Sequence, residues 1–159
     1  MADDYEVFIE ASVRGYHACF KDSTVVIGKV LMCERELGNV HDKHAVAVNN
    51  EEGKVVGHVP IELSKVSARF IRDFGEVEAE CIGVRYNKGG SKGLEFPVDY
   101  KLSGNLRYLE KLVSRIKKRE TTCDLKISII RIRTTKGFKD RSRTINCLFW
   151  LHVSVLQLN

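Results

Sequence analysis

Between Cys33 and Pro60 the chain carries a succession that few folds accommodate: a polar run without a period, two short β-branched runs, and a proline that opens a helical pattern. Residues 34–44 (Glu-Arg-Glu-Leu-Gly-Asn-Val-His-Asp-Lys-His) repeat at neither two nor 3.6 residues, so the segment cannot pack as a core element. Ala45-Val46-Ala47-Val48 and Val55-Val56-Gly57-His58-Val59 read as strands, and the Asn-Asn-Glu-Glu-Gly stretch between them has the composition of a turn, which makes the pair a hairpin. Pro60 suits the first position of a helix, where the amide it lacks would be unsatisfied anyway. Histidines and carboxylates therefore project on loops from a rigid hairpin, where binding residues commonly sit.

The flanking sequence predicts more strands. Tyr5, Val7, Ile9, Ala11 and Val13 alternate as in a half-buried strand, and Thr24 to Cys33 reads as a second one with a bulge at Gly28. Leu63, Val66, Ser67, Phe70, Ile71 and Phe74 fall at helical spacing before Gly75, which predicts a helix over 60–74 with Lys65, Arg69 and Arg72 outward. Glu76 to Tyr86 and Leu94 to Leu102 read as strands joined by a basic, glycine-rich loop. Pro97 lacks a ladder donor, so it predicts an edge or a bend. Ser103 is placed to cap a helix over roughly 105–118, with Leu106, Leu109, Leu112, Val113 and Ile116 inward and Arg107, Lys111, Arg115 and Lys118 on another face. Two further apolar runs, Cys123 to Arg133 and Thr144 to Leu158, flank the basic stretch 134–143 and predict a long hairpin with a charged tip.

At 159 residues this is one domain with an appendage, divided as 1–119 and a basic C-terminal β-hairpin extension, 120–159, packed on the sheet or on another copy. The expected fold is mainly β (mixed α+β), an OB-like partly open barrel with two helices. No apolar run approaches the ~20 residues needed to cross a bilayer, so no membrane role is expected. The five cysteines are widely spaced, odd in number and set beside apolar stretches, which points to buried, reduced thiols in an intracellular protein. Charge is divided unevenly: residues 1–80 hold 9 Lys/Arg against 15 Asp/Glu, and the remainder holds 17 against 6. A chain polarised in this way presents a basic face, which attracts polyanions.

Three chemistries compete for the polar residues. A zinc site needs four converging ligands with paired spacings, and His41-x-x-His44 is one loose pair beside His17, Cys19 and His58, so no metal is expected. No nucleophile elbow surrounds a cysteine and no glycine motif cradles phosphate, so neither an enzyme nor a cofactor is expected. Nucleic-acid binding has more behind it, because aromatics lie beside cations in loop segments: Tyr16 and Phe20 near Arg14 and Lys21, Tyr86 near Lys88, Phe138 between Lys136 and Lys139. Bases stack on such rings while cations hold the backbone. The bland alternative, that these rings plug a core, is favoured for Tyr86.

The loop aspartate Asp42, the Ala45-Val46-Ala47-Val48 strand, and Val56-Gly57-His58 leading to Pro60 and a helix together resemble the pattern of the HIRAN domain, continuously from about Val13 to about Lys118. The resemblance implies an OB-like barrel and, as in the best-studied member, capture of the free 3′ end of single-stranded DNA. It implies that Asp42 and His58 read the terminus. His41 stands where that member has a tyrosine. The member's Arg-Tyr-Tyr run falls within His17-Ala18-Cys19-Phe20, with Phe20 or Tyr16 replacing a lost ring. Ile61 stands in place of a lysine, and Leu94 near an aromatic position, with Phe96 two residues on. The expected DNA-binding set is thus Asp42, His58, His41, Tyr16, His17, Phe20 and Phe96, with Arg14, Lys21, Lys43, Lys88 and Lys92 on phosphates. Together with the basic cluster Arg115 to Arg119, the resemblance also implies a nuclear protein acting in DNA repair. Two other readings remain open: general polyanion or RNA binding through the basic faces, and a protein-interaction module that forms a homodimer through the final hairpin.

Overall fold

A computed structural model describes residues 4–19, 24–87, 89, 93–119 and 126–132. Strands β1 (Asp4–Val13), β2 (Val30–Arg35), β3 (Val46–Asn49), β4 (Val55–His58), β5 (Val77–Cys81), β6 (Tyr86–Asn87), β7 (Leu94–Asn105) and β8 (Lys126–Ile132) join one antiparallel sheet. Its order is β4-β3-β2-β5-β7-β1-β8, and β6 pairs with β7 off this path. Beside the sheet are a single turn, α1 (Tyr16–Cys19), and two 14-residue helices, α2 (Ile61–Phe74) and α3 (Leu106–Arg119).

The period-two pattern carries the core. Val7, Ile9 and Val13 on β1, Val77, Ala79 and Cys81 on β5, and Phe96, Val98, Tyr100 and Leu102 on β7 are all buried, facing Leu63, Ala68 and Phe70 of α2 and Leu109, Leu112 and Ile116 of α3. Burying one such side chain contributes about 1.5–3 kcal/mol. The helices run where the 3.6-residue spacing predicted them, and their faces meet where Phe70 packs on Tyr108 at 6.0 Å between ring centres.

The sheet curls until its ends touch. At the exit of β1, Arg14 N–H donates to the His58 carbonyl at 2.9 Å and His58 N–H to the Arg14 carbonyl at 2.8 Å, a lone antiparallel pair between β1 and β4. This pair makes six strands a partly open barrel, not a closed one, and β8 lies outside it along β1. The approach is tight enough to require Gly57. A Cβ there would lie 2.5 Å from a methyl of Val13 and 2.7 Å from the Arg14 carbonyl oxygen.

Three local expectations are corrected. The run from Thr24 becomes strand only at Val30, because Gly28 takes a positive φ of 83° and turns the chain, leaving Val26 and Ile27 exposed. Pro97 lies in an interior strand rather than an edge. Its carbonyl accepts Ile82 N–H at 3.0 Å beyond the end of β5, so its missing donor faces the point where that neighbour departs, over Gly83. The cap of α3 is Asn105, whose Oδ1 accepts Arg107 N–H at 3.0 Å, while the Ser103 hydroxyl reaches Glu6 across the sheet. Cys33 and Cys81 are free and buried, and burial, with Glu78 nearby, pushes the Cys33 thiol up to about 12. The second strand of the expected C-terminal hairpin and its basic tip lie outside the described residues.

Gly57→Ala is expected to destabilise the fold by about 2 kcal/mol or more, because backbone and a core methyl must both move. A urea midpoint equal to that of the native chain would show that the ring closes with room to spare.

Candidate nucleic-acid interface

The loop from β2 to β3 is held by its own short polar side chains. Asn39 Oδ1 accepts the N–H groups of His41 at 2.9 Å and Asp42 at 3.0 Å, and Asp42 Oδ1 accepts His44 N–H at 2.8 Å. Asn and Asp favour such local bonds, which compete with helix and sheet and explain why the run has no period. The other oxygen of Asp42 accepts the Ser64 hydroxyl of α2 at 3.1 Å, which ties the loop to the helix. At the loop's base Glu36 N–H donates to the Ala45 carbonyl and Ala45 N–H to the Asp42 carbonyl, each at 2.9 Å.

Asp42 and His58 lie at the two ends of one hydrogen-bonded path. From Asp42 N–H it passes to Asn39, then from the Asn39 amide to Glu36 Oε2 at 2.8 Å, and His58 Nε2 meets that same oxygen at 3.0 Å. The Asn39 amide, and to a smaller extent His58, hold the Glu36 carboxyl below its usual range against an opposing effect of partial burial. An ionised carboxylate only accepts, so the ring nitrogen facing it is the one bearing hydrogen. His58 keeps 37% of its side chain exposed, and Asp42 is half-buried. Two of the roughly four acceptor sites on Asp42 are filled, which leaves capacity for an incoming hydroxyl.

Arg14, beside His58, is engaged by carboxylates. Its Nη1 lies 3.0 and 2.9 Å from the two oxygens of Glu62, and its Nε lies 3.7 Å from Glu95 Oε1, an ion pair longer than a hydrogen bond. Glu95 is fully buried, and its Oε2 accepts the Ser12 hydroxyl at 2.7 Å and the Tyr86 hydroxyl at 3.4 Å.

The structure therefore redistributes the expected site. Tyr16 and Phe96 do not offer faces to a base. Both are buried, edge to face at 5.1 Å between ring centres, because Phe96 shares the inward parity of Val98 and Tyr100, and α1 folds Tyr16 onto it. Arg14 is a structural cation rather than a free phosphate ligand. His41 and Lys43 are exposed on the loop, next to Asp42. The side chain of His17 and all of Phe20, Lys21, Lys88 and Lys92 lie outside the described residues. Glu36, Asn39, Glu62, Ser64 and Glu95 shape the site and were not singled out from the sequence, where they look like ordinary polar residues. Among the described residues no group of three or more His, Cys, Asp or Glu side chains converges to hold a metal.

Fold and site together define a small OB-like β-module whose polar residues gather at the closure of its sheet. The model of the HIRAN domain matches residues 5–101, more than half of the chain. This protein belongs to the HIRAN domain family. The match begins earlier than the resemblance read from the sequence and stops before α3. The crystal structure of the HIRAN domain of human HLTF aligns with a TM-score of 0.56 and 21% identity, over 72% of this chain and 92% of that one, and it shows the shared fold. The NMR structure of the HLTF HIRAN domain aligns at 0.49 and 23% identity, over 73% and 90% of the two chains. A crystal structure of a Lactobacillus plantarum protein aligns at 0.46 and 17% identity, over 62% and 97%. No curated protein matches the chain.

Removing the cation from beside a buried acid is strongly destabilising, and removing both members much less so. Arg14→Met is expected to lower stability by about 2–3 kcal/mol, and Arg14→Met combined with Glu95→Gln to recover at least half of that. Denaturant unfolding of the single and double variants checks this, and strictly additive losses would dissociate the two residues.

Proposed function

We propose that the protein is a non-catalytic module that binds single-stranded DNA and reads a free 3′ end at Asp42 and His58. The observation that carries this reading is the path through Asn39 and Glu36. It joins the aspartate and the histidine that match the family pattern and leaves both partly open to solvent. Asp42 accepts the terminal hydroxyl, a charge-assisted bond stronger than a neutral one. The imidazole at the other end of the path, bonded to Glu36, is the group assigned to the adjoining sugar and phosphate. A terminal phosphate in place of the hydroxyl meets the Asp42 charge and is disfavoured, so discrimination comes from repulsion as much as from attraction.

With Tyr16 and Phe96 in the core, His41 is the ring that supports this reading as a stacking surface. Among the described residues the site therefore offers fewer ring faces to bases, and the strand's end and backbone carry more of the recognition. A nuclear location and a role in DNA repair belong to the same proposal.

The test uses Asp42→Asn, which keeps an acceptor for His44 N–H and so preserves the turn. Affinity for an oligonucleotide with a free 3′ hydroxyl is expected to fall about tenfold, the size of one hydrogen bond to a charged group. Affinity for a 3′-phosphorylated strand should stay level or rise. Equal losses on both strands, read by fluorescence anisotropy, would refute end reading.

A further inference from the structure

At the proposed end-reading site Arg14 is already matched by Glu62 and Glu95, and the His58 ring is hydrogen-bonded to Glu36. Attraction for a strand comes from cations that exchange small counterions for phosphate, and it must be supplied elsewhere. A cleft of about 330 Å³ between α2 and α3 answers that need. Its wall carries Arg35, Lys43, Lys65, Arg69, Arg72 and Arg115, and no acidic side chain lines it. Asp73, just outside, engages Arg72 at 2.5 Å and Arg69 at 3.9 Å. Among the described residues, Lys43, Lys65 and Arg115 form no hydrogen bond or ion pair with a carboxylate. Val66, Ala68 and Leu112 with Tyr108 make a partly apolar floor on which a sugar or base edge can lie.

The cleft also borders the end-reading loop. Lys43 and His44 follow Asp42 directly, and Lys65 follows the Ser64 that bonds Asp42. The cations come from four segments brought together by the fold: the end of β2, the loop after it, α2 and α3. In the sequence they span residues 35 to 115, in a half counted as acidic and a half counted as basic. Only Arg115 belongs to the α3 stripe read from the sequence.

We propose that this α2–α3 cleft is a second subsite, which holds the sugar-phosphate backbone of the strand whose terminus lies at Asp42. The inference rests on the reading of the protein as a single-strand binder. It assigns the two halves of the task to different surfaces: hydrogen bonds at the loop read the end, and free cations in the cleft supply most of the affinity and its dependence on salt.

The test compares the native chain, Lys65→Gln with Arg115→Gln, and Asp42→Asn, by anisotropy across a salt series on free-3′ and 3′-phosphorylated single strands. Both cleft residues are exposed, and an unchanged urea midpoint verifies that the double variant folds. The double variant is expected to bind about tenfold more weakly at low salt, with the slope of log affinity against log salt shallower by about 1.4, at roughly 0.7 per phosphate contact. Its preference for the free end should be preserved. An unchanged slope and affinity in the double variant, with the preference lost in Asp42→Asn, overturns the cleft and leaves end reading standing. A native chain with no end preference, whose slope still falls in the double variant, overturns end reading and supports the cleft as the place where the strand binds. Absence of binding by the native chain at low salt overturns both. Displacement of the strand by a nucleoside triphosphate at equal concentration, lost in the double variant, overturns the strand in favour of a free nucleotide.

Discussion

Two backbone hydrogen bonds between Arg14 and His58 curl a strip of strands into a partly open barrel. They bring the residue just past β1 against the last residue of β4, and the placement of Arg14, His58 and Gly57 follows from that contact. His58 is fixed by its main chain, so its ring is aimed before any ligand arrives. Arg14 is fixed by the same pair, so its guanidinium reaches Glu62 at the start of α2 and the buried Glu95 of β7. Gly57 is glycine because the two strands approach through the space a side chain would fill. The loop carrying Asp42 is then tied to the same corner through Asn39, Glu36 and Ser64.

The electrostatics of that corner differ from what a phosphate-binding pocket usually presents. Arg14 meets two carboxylates of the protein's own and the His58 ring meets a third, which leaves the corner with little net attraction for a polyanion. A carboxylate with spare acceptor capacity suits a hydroxyl better than a phosphate. Lys43, Lys65 and Arg115, which pair with no carboxylate among the described residues, line a separate cleft that borders the same loop. The proposed polar reading of an end and the proposed ionic attraction for a strand are different physical tasks, assigned to adjacent surfaces.

How much of this was legible in the sequence depends on whether a property is local. The hairpin over 46–58, the helices α2 and α3 and the alternation of β1 and β5 are written in short-range periodicity, and they fold where that periodicity put them. The residue pattern that points to the family is also local, and the family model matches residues 5–101. The turn at Gly28 was hidden because a β-branched run looks like strand until one glycine adopts a positive φ. Pairings across the sheet were hidden altogether. Nothing near Arg14 in the chain announces Glu62 or Glu95, and nothing near Tyr16 announces Phe96, so a cation and two rings that looked available for DNA are engaged inside the protein. The cleft was hidden for the same reason, since its cations are spread along the chain and assembled by the packing of α2 on α3.

The central claim is that a strand's end sits at the corner where the ring closes. The most direct measurement is a ¹⁵N NMR titration of the protein with a short single-stranded DNA bearing a free 3′ hydroxyl, at low salt. The account calls for the largest amide shifts at His41 to His44 and at Gly57 and His58, with smaller ones around Lys65 and Arg115. A titration that leaves the amides of Asp42 and His58 unmoved while the strand binds elsewhere, or that moves none at all, would contradict it.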